Sequence, residues 1–217
     1  MDSCSRSLAI SFVKGLMAVS MIFVFSPKIA ALECTKGASQ PTNPVDCLAC
    51  NIHFEALNEP YEGQKAVAYT VFNRALNRAS NAGATICAQV YAENQYSWTR
   101  PNDPVPDPKV LGPADGQKVQ ELAKKMIEEI SKKNFQDTQD QATVCATHYH
   151  TKQKNVGGMG DYPAWSAWGA ASSGFQKAGE IGGHLFSKDP GMSKCIKDEN
   201  EDELRKLAEA TGAGDSK

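Results

Sequence analysis

The chain has 217 residues, 41 % of them hydrophobic and 22 % charged, with 23 Lys and Arg against 25 Asp and Glu. That is long enough and apolar enough for one domain with a real core. The near balance of charge excludes the basic face that nucleic-acid binding needs, so no nucleic-acid partner is expected.

Residues 1–31 read as an export signal or a signal anchor. Arg6 and Lys14 supply positive charge, and Gly15 to Phe25 form an apolar run of eleven residues. Pro27 breaks the run, and Ile29-Ala30-Ala31 is a small-residue cleavage site. A membrane span needs about 20 apolar residues, so the run is too short for an ordinary one, and the membrane is expected to be met only through this signal segment. The rest of the chain is then expected in the periplasm or cell envelope.

Of the seven cysteines, Cys4 falls in the signal. The other six are Cys34, Cys47, Cys50, Cys87, Cys145 and Cys195. Six cysteines behind an export signal suggest three disulfides, with the pairing left open by sequence. Cys47-Leu48-Ala49-Cys50 also has the spacing of a redox pair or of half a metal site. No second such pair follows, so structural disulfides are the expectation.

Residues 32–44 are polar, with two prolines, and form a lead-in. A first helix is predicted from Asp46, as N-cap, to about Leu57, where Asn58 and Pro60 stop it. A second runs from about Glu62 to Asn77, with Gly63, Ala66, Val67, Thr70, Val71 and Arg74 on one stripe. The tight turn between them makes the two helices neighbours. Residues 81–98 look irregular with short extended pieces. Five prolines between Thr99 and Pro113 mark a loop. Val119, Leu122, Ala123, Met126, Ile127 and Ile130 recur at helical spacing and predict a helix between Asp115 and Lys133. Thr143 to His150 favours extended geometry. A glycine-rich loop with Trp165 and Trp168 follows, and His184 to Ser187 is a short last strand. Residues 45–196 form the expected catalytic domain. Residues 197–217 are read as a charged tail, either a short solvated helix or frayed.

The most informative position is Glu55. Leu48, Ile52 and Glu55 share one helix face, so a carboxyl points where the pattern wants an apolar group. A carboxyl in apolar surroundings resists ionising, which is what a general acid requires. A surface glutamate near a helix end is the plainer alternative. Gln95-Tyr96-Ser97-Trp98-Thr99 alternates rings with polar groups. Such rings suit the C–H faces of sugars, and equally serve as core anchors. His148 and His150 lie on one strand face about Tyr149, but a third ligand at helical spacing is missing. Cleft or structural histidines are therefore expected rather than zinc, and no metal or cofactor is expected. Neither a Gly-x-Ser-x-Gly elbow nor a phosphate-binding glycine loop is present.

With these residues in hand, the chain resembles the spore-cortex-lytic (SleB-type) family of cell-wall hydrolases. The resemblance rests on ordered blocks. The first is Phe54-Glu55-Ala56, then Glu59-Pro60, Gly63-Gln64, Ala66-Val67-Ala68 and Asn73-Arg74. Next come Cys87, Val90-Tyr91 and the Gln95–Thr99 segment, with Tyr96 where the family usually has Phe. Ala146-Thr147-His148-Tyr149-His150, Pro163-Ala164-Trp165 and Ile181-Gly182-Gly183-His184 with Phe186 close the set.

The resemblance implies a small lysozyme-like α+β domain, mainly helical with a short antiparallel sheet, here stabilised by disulfides. It implies cleavage of the glycan of peptidoglycan by Glu55, between N-acetylmuramic acid and N-acetylglucosamine, as a lytic transglycosylase. Substrate contacts are expected from Gln95, Tyr96, Ser97, Trp98, His148, Tyr149, His150 and Trp165. The expected partner is the peptidoglycan glycan strand, met by a monomer. Glu59 or Asp161 could supply a second carboxylate for a hydrolytic muramidase. The residues also leave room for a phage lysis enzyme of the same chemistry, a wall-binding module without turnover, or a thiol oxidoreductase acting through Cys47 and Cys50. The fused wall-binding repeats typical of the family are missing from the sequence.

Overall fold

The computed structural model describes residues 31–35, 40–77, 84–92, 95–99, 110–134, 143–151 and 174–209. The export signal over residues 1–30, most of the proline-rich loop, the glycine-rich loop with Asp161, Trp165 and Trp168, and residues 210–217 lie outside them.

In chain order the elements are β1 (Leu32–Glu33), α1 (Pro44–Ala56), α2 (Tyr61–Asn77), α3 (Ile86–Val90), β2 (Val110–Leu111) and α4 (Pro113–Ser131). After these come β3 (His148–Thr151), β4 (Gln176–Ile181), β5 (His184–Lys188) and α5 (Glu201–Glu209). The fold is mixed, with a three-stranded antiparallel sheet in the order β3-β5-β4 and a two-stranded pair β1-β2.

Helix α1 begins earlier than the expected Asp46. Asn43 is the N-cap, its side chain accepting from Val45 N–H at 2.8 Å, and Pro44 takes the first helical position. Proline fits there because that N–H has no helical partner anyway. Where extended pieces were expected after residue 81, α3 forms instead. Thr85 caps it by accepting from Ala88 N–H at 3.0 Å. The expected strand over Thr143–His150 is shorter. Thr143–Cys145 is a 3-10 turn, and only His148–Thr151 pairs with β5. Strand β4 has no alternating apolar pattern, so periodicity does not reveal it; its hydrogen bonds to β5 define it.

Most of the apolar side chains form one core, from Leu48, Ile52, Tyr69 and Phe72 to Met126, Ile130 and Trp98. A smaller cluster of Ala56, Ala66, Val67, Ala146 and Phe186 joins the α1–α2 pair to the sheet. The stretch expected to be a solvated or frayed tail contributes too. Leu204 and Leu207, one turn apart on α5, are buried, and the helix packs on α4. A stripe of two leucines is enough to dock a short helix whose other face is charged.

Three disulfides staple this arrangement: Cys34–Cys50, Cys47–Cys87 and Cys145–Cys195. Cys47 and Cys50 bond to different partners, so the pair is not a redox dithiol. Cys145, Cys195 and Asp198 come within metal-ligating distance of one another. Two of those sulfurs are joined to each other and are not thiolate ligands.

Asn73 and Asn77, one turn apart on α2, do the polar joining. Asn73 Nδ2 donates to the carbonyls of Val144 and Ala146 at 2.7 and 2.8 Å, and its Oδ1 accepts from Ile196 N–H at 2.9 Å. Asn77 bonds both backbone groups of Lys194. Helix α2 is thereby tied to the chain on either side of the Cys145–Cys195 bridge. No described helix is long and apolar enough to cross a membrane.

Candidate functional site

Glu55 stands in the last turn of α1, half-buried, above fully buried Leu48 and Ile52. The stripe expected from spacing is therefore the core face, and Glu55 is where it reaches the surface. Asn51 lies one turn before Glu55 and is fully buried. It is a second polar side chain on the same apolar side of the helix, and spacing alone did not single it out.

Two buried phenols lie close enough to this carboxylate to feel its charge. Burial raises Tyr149 well above the ordinary tyrosine value, and the charge of Glu55 adds to the rise. Tyr96 is raised mainly by burial, opposed by Arg74 and increased by Glu55. The Asn51 amide lies near both hydroxyls and lowers each somewhat, although neither its nitrogen nor its oxygen makes a hydrogen bond. Both phenols hold their protons at neutral pH, so they can act as donors and not as bases.

Arg74 supports the group from α2. Its Nη1 donates to the Tyr96 hydroxyl at 3.0 Å, and its Nε donates to the Thr147 carbonyl just before β3. The guanidinium is buried and also covers the Tyr96 ring at 5.6 Å. The Asn73-Arg74 dipeptide thus joins helix, aromatic loop and sheet behind the acid.

The aromatics form a continuous packed row. Phe54 stacks on Trp98 at 4.8 Å, Trp98 neighbours Tyr96 at 6.4 Å, and Tyr96 neighbours Tyr149 at 6.4 Å. Tyr149 then meets His184 at 5.2 Å and Phe186 at 5.8 Å. Trp98 is 2 % exposed and Tyr96 5 %. Of the two readings open to these rings, their burial favours core anchors, packed between Phe54 and Tyr149. On the same segment Gln95 is partly accessible and Ser97 exposed, while Thr99 is buried.

Strand alternation divides the third block. Tyr149 shares a sheet face with His184 and Phe186, toward the helices. His148 and His150 take the other face. His148 Nδ1 lies 3.0 Å from the Thr147 hydroxyl, and its ring meets Phe175 edge-on at 4.7 Å. Burial, with repulsion from Arg74, pushes His148 down to about 3. It is therefore neutral in the folded protein. His150 is half-buried and close enough to His184 to oppose its protonation. Trp165, the remaining expected contact, lies outside the described residues.

The structure brings together two residues that the sequence had named apart, His184 and Glu59. His184 sits at the start of β5, 2 % exposed, with Nδ1 3.5 Å from Glu59 Oε1. Burial lowers its pKa, the Glu59 charge raises it, and His150 lowers it again. Glu59 Oε2 also accepts from Gly183 N–H at 2.7 Å. The turn after α1 and the hairpin between β4 and β5 are therefore in direct polar contact, although 124 residues separate Glu59 from Gly183.

Neither the curated proteins nor the solved structures yield a match to the chain. Residues 58–187 match a family described as Cell Wall Hydrolase. The match begins three residues after Glu55 and takes in Glu59, Arg74, Tyr96, Tyr149 and His184. More than half the chain is covered, and the chain belongs to the Cell Wall Hydrolase family, hydrolases that act on peptidoglycan outside the cytoplasm.

Proposed function

We propose that the protein is an exported enzyme that cuts the bond between N-acetylmuramic acid and N-acetylglucosamine, as a lytic transglycosylase with Glu55 as acid and then base. The observation that carries this reading is Glu55 itself. It is a half-buried carboxyl at a helix end, beside the neutral phenols of Tyr96 and Tyr149 and against an aromatic wall.

In the first step the Glu55 carboxyl gives its proton to the glycosidic oxygen, and the bond from muramoyl C1 to that oxygen breaks. In the second, the muramoyl 6-hydroxyl oxygen bonds to C1 and its proton passes to the Glu55 carboxylate. The products are a 1,6-anhydro muramoyl end and a free N-acetylglucosamine hydroxyl, with no water consumed. One carboxylate serves both halves because the nucleophile belongs to the substrate. A hydroxyl of Tyr149 beside Glu55 is suited to donate a hydrogen bond to the carboxylate once it has lost its proton.

Gln95, Ser97 and His150 are the accessible polar candidates for hydroxyl contacts, with Trp165 as the aromatic candidate. A lysozyme-like domain with its acid at a helix end beside a small antiparallel sheet agrees with this chemistry. Three disulfides support an oxidising compartment such as the periplasm, reached through the signal in residues 1–31.

Glu55→Gln keeps the shape and removes the proton. Purified wall should then stay insoluble while thermal unfolding is unchanged, and solubilisation at the wild-type rate would remove Glu55 from the chemistry. Mass spectrometry of the released fragments should show 1,6-anhydro ends; reducing ends would instead mean hydrolysis.

A further inference from the structure

Glu59 lies one turn beyond Glu55 and takes no part in the proton transfers above. Its side chain is 15 % exposed and lies in the short connection between α1 and α2. Both oxygens turn to the β4–β5 hairpin, Oε2 to Gly183 N–H at 2.7 Å and Oε1 to His184 Nδ1 at 3.5 Å.

The space around this carboxylate is built from glycines. Gly182 has φ +56°, and a Cβ there would stand 1.8 Å from Glu59 Oε2 and 2.9 Å from Pro60 Cδ. A Cβ on Gly183 would stand 2.8 Å from Oε1, and one on Gly63 would stand 3.0 Å from Glu59 Cβ. Distances under about 3 Å to backbone or buried atoms force something to move, so any side chain at Gly182 or Gly183 would expel the carboxylate. Two separate sequence blocks, Glu59-Pro60 with Gly63 and Gly182-Gly183-His184, are one device in space.

From that contact β5 runs straight to the site. His184 meets Tyr149 edge-on, Phe186 meets it one pair further, and Tyr149 feels the charge of Glu55. We propose that Glu59 is a positioning residue. Its carboxylate fastens the β4–β5 hairpin to the end of α1 and so sets Tyr149 against Glu55; it is not the second carboxylate of a hydrolytic pair. The proposal rests on Glu55 as the proton donor.

The test compares Glu59→Gln, Glu59→Ala and Glu55→Gln on soluble glycan strands, reading kcat and KM, with amide exchange at Gly183 followed in parallel. Gln keeps a carbonyl oxygen for Gly183 N–H, so Glu59→Gln should retain kcat within about tenfold and keep the amide protected. Glu59→Ala should lose about a hundredfold in kcat with little change in KM, and its Gly183 amide should exchange faster. Glu59→Gln as inactive as Glu55→Gln with Gly183 still protected would make Glu59 a reacting carboxylate and overturn the proposal. Wild-type kcat in Glu59→Ala would overturn it as well. An active Glu55→Gln enzyme would sink the proton-donor reading instead, and Gly183 exchange would still report on the fastening.

Discussion

Glu55 and His148 show how differently two polar side chains can be used within one small region. Glu55 stands at the edge of the core with neutral donors beside it. His148 is held neutral by burial and by the charge of Arg74. That neutrality has a consequence in acid. The unfolded imidazole takes a proton near its ordinary 6.5, whereas the folded one resists until about 3. Between those values protons bind the unfolded chain in preference, so stability should fall as pH drops through that window, by up to about 1.4 kcal/mol per pH unit for this histidine. Burial shifts His53 and His184 in the same direction and should steepen the fall. Urea unfolding at stepped pH checks this, and His148→Gln should flatten the profile. A variant as acid-sensitive as the parent would locate the proton uptake elsewhere.

Among elements, α5 is the one whose role could be misread most easily. Its sequence is mostly charged, and solvation is the natural expectation for such a segment. Leu204 is nonetheless fully buried against the core. Leu204→Ala should therefore cost about 2–5 kcal/mol, measured as a lower denaturation midpoint, while wall cleavage at ambient temperature persists. A midpoint equal to the parent's would mean that α5 contributes nothing to the fold. The hairpin β4–β5 carries the opposite lesson. Its second strand was expected from His184 to Ser187, but β4 has too little apolar pattern to announce itself. Pairing with β5 supplies what its own side chains do not.

For the whole molecule, the polar fastenings and the disulfides work on the same joints. Asn73 and Asn77 tie α2 to residues 194–196 and to the approach of β3, and Cys145–Cys195 crosses the same gap. This bridge has the longest sequence separation of the three, 50 residues. Closing a loop of that length is worth about 4 kcal/mol through the unfolded chain. Replacing both cysteines with serine should lower the stability from urea unfolding by about that amount, more than the same change at Cys34–Cys50. Equal losses at the two bridges would argue against a loop-length origin.

Much of this protein was legible in its residues. The three long helices follow from apolar spacing, since a face buried against a core must repeat every 3.6 residues. The place of Glu55 follows from the same rule, as a carboxyl on an apolar stripe. Six cysteines behind an export-like segment pointed to three bridges, because an oxidising compartment leaves such thiols paired. What only the tertiary structure decided is who meets whom. Which cysteines pair, that Tyr96 and Trp98 are buried in one packed row of rings, and that Glu59 reaches a hairpin 124 residues away are contacts between distant segments. Local pattern records which face of an element is buried. It does not record what covers that face, because the covering atoms come from elsewhere in the chain.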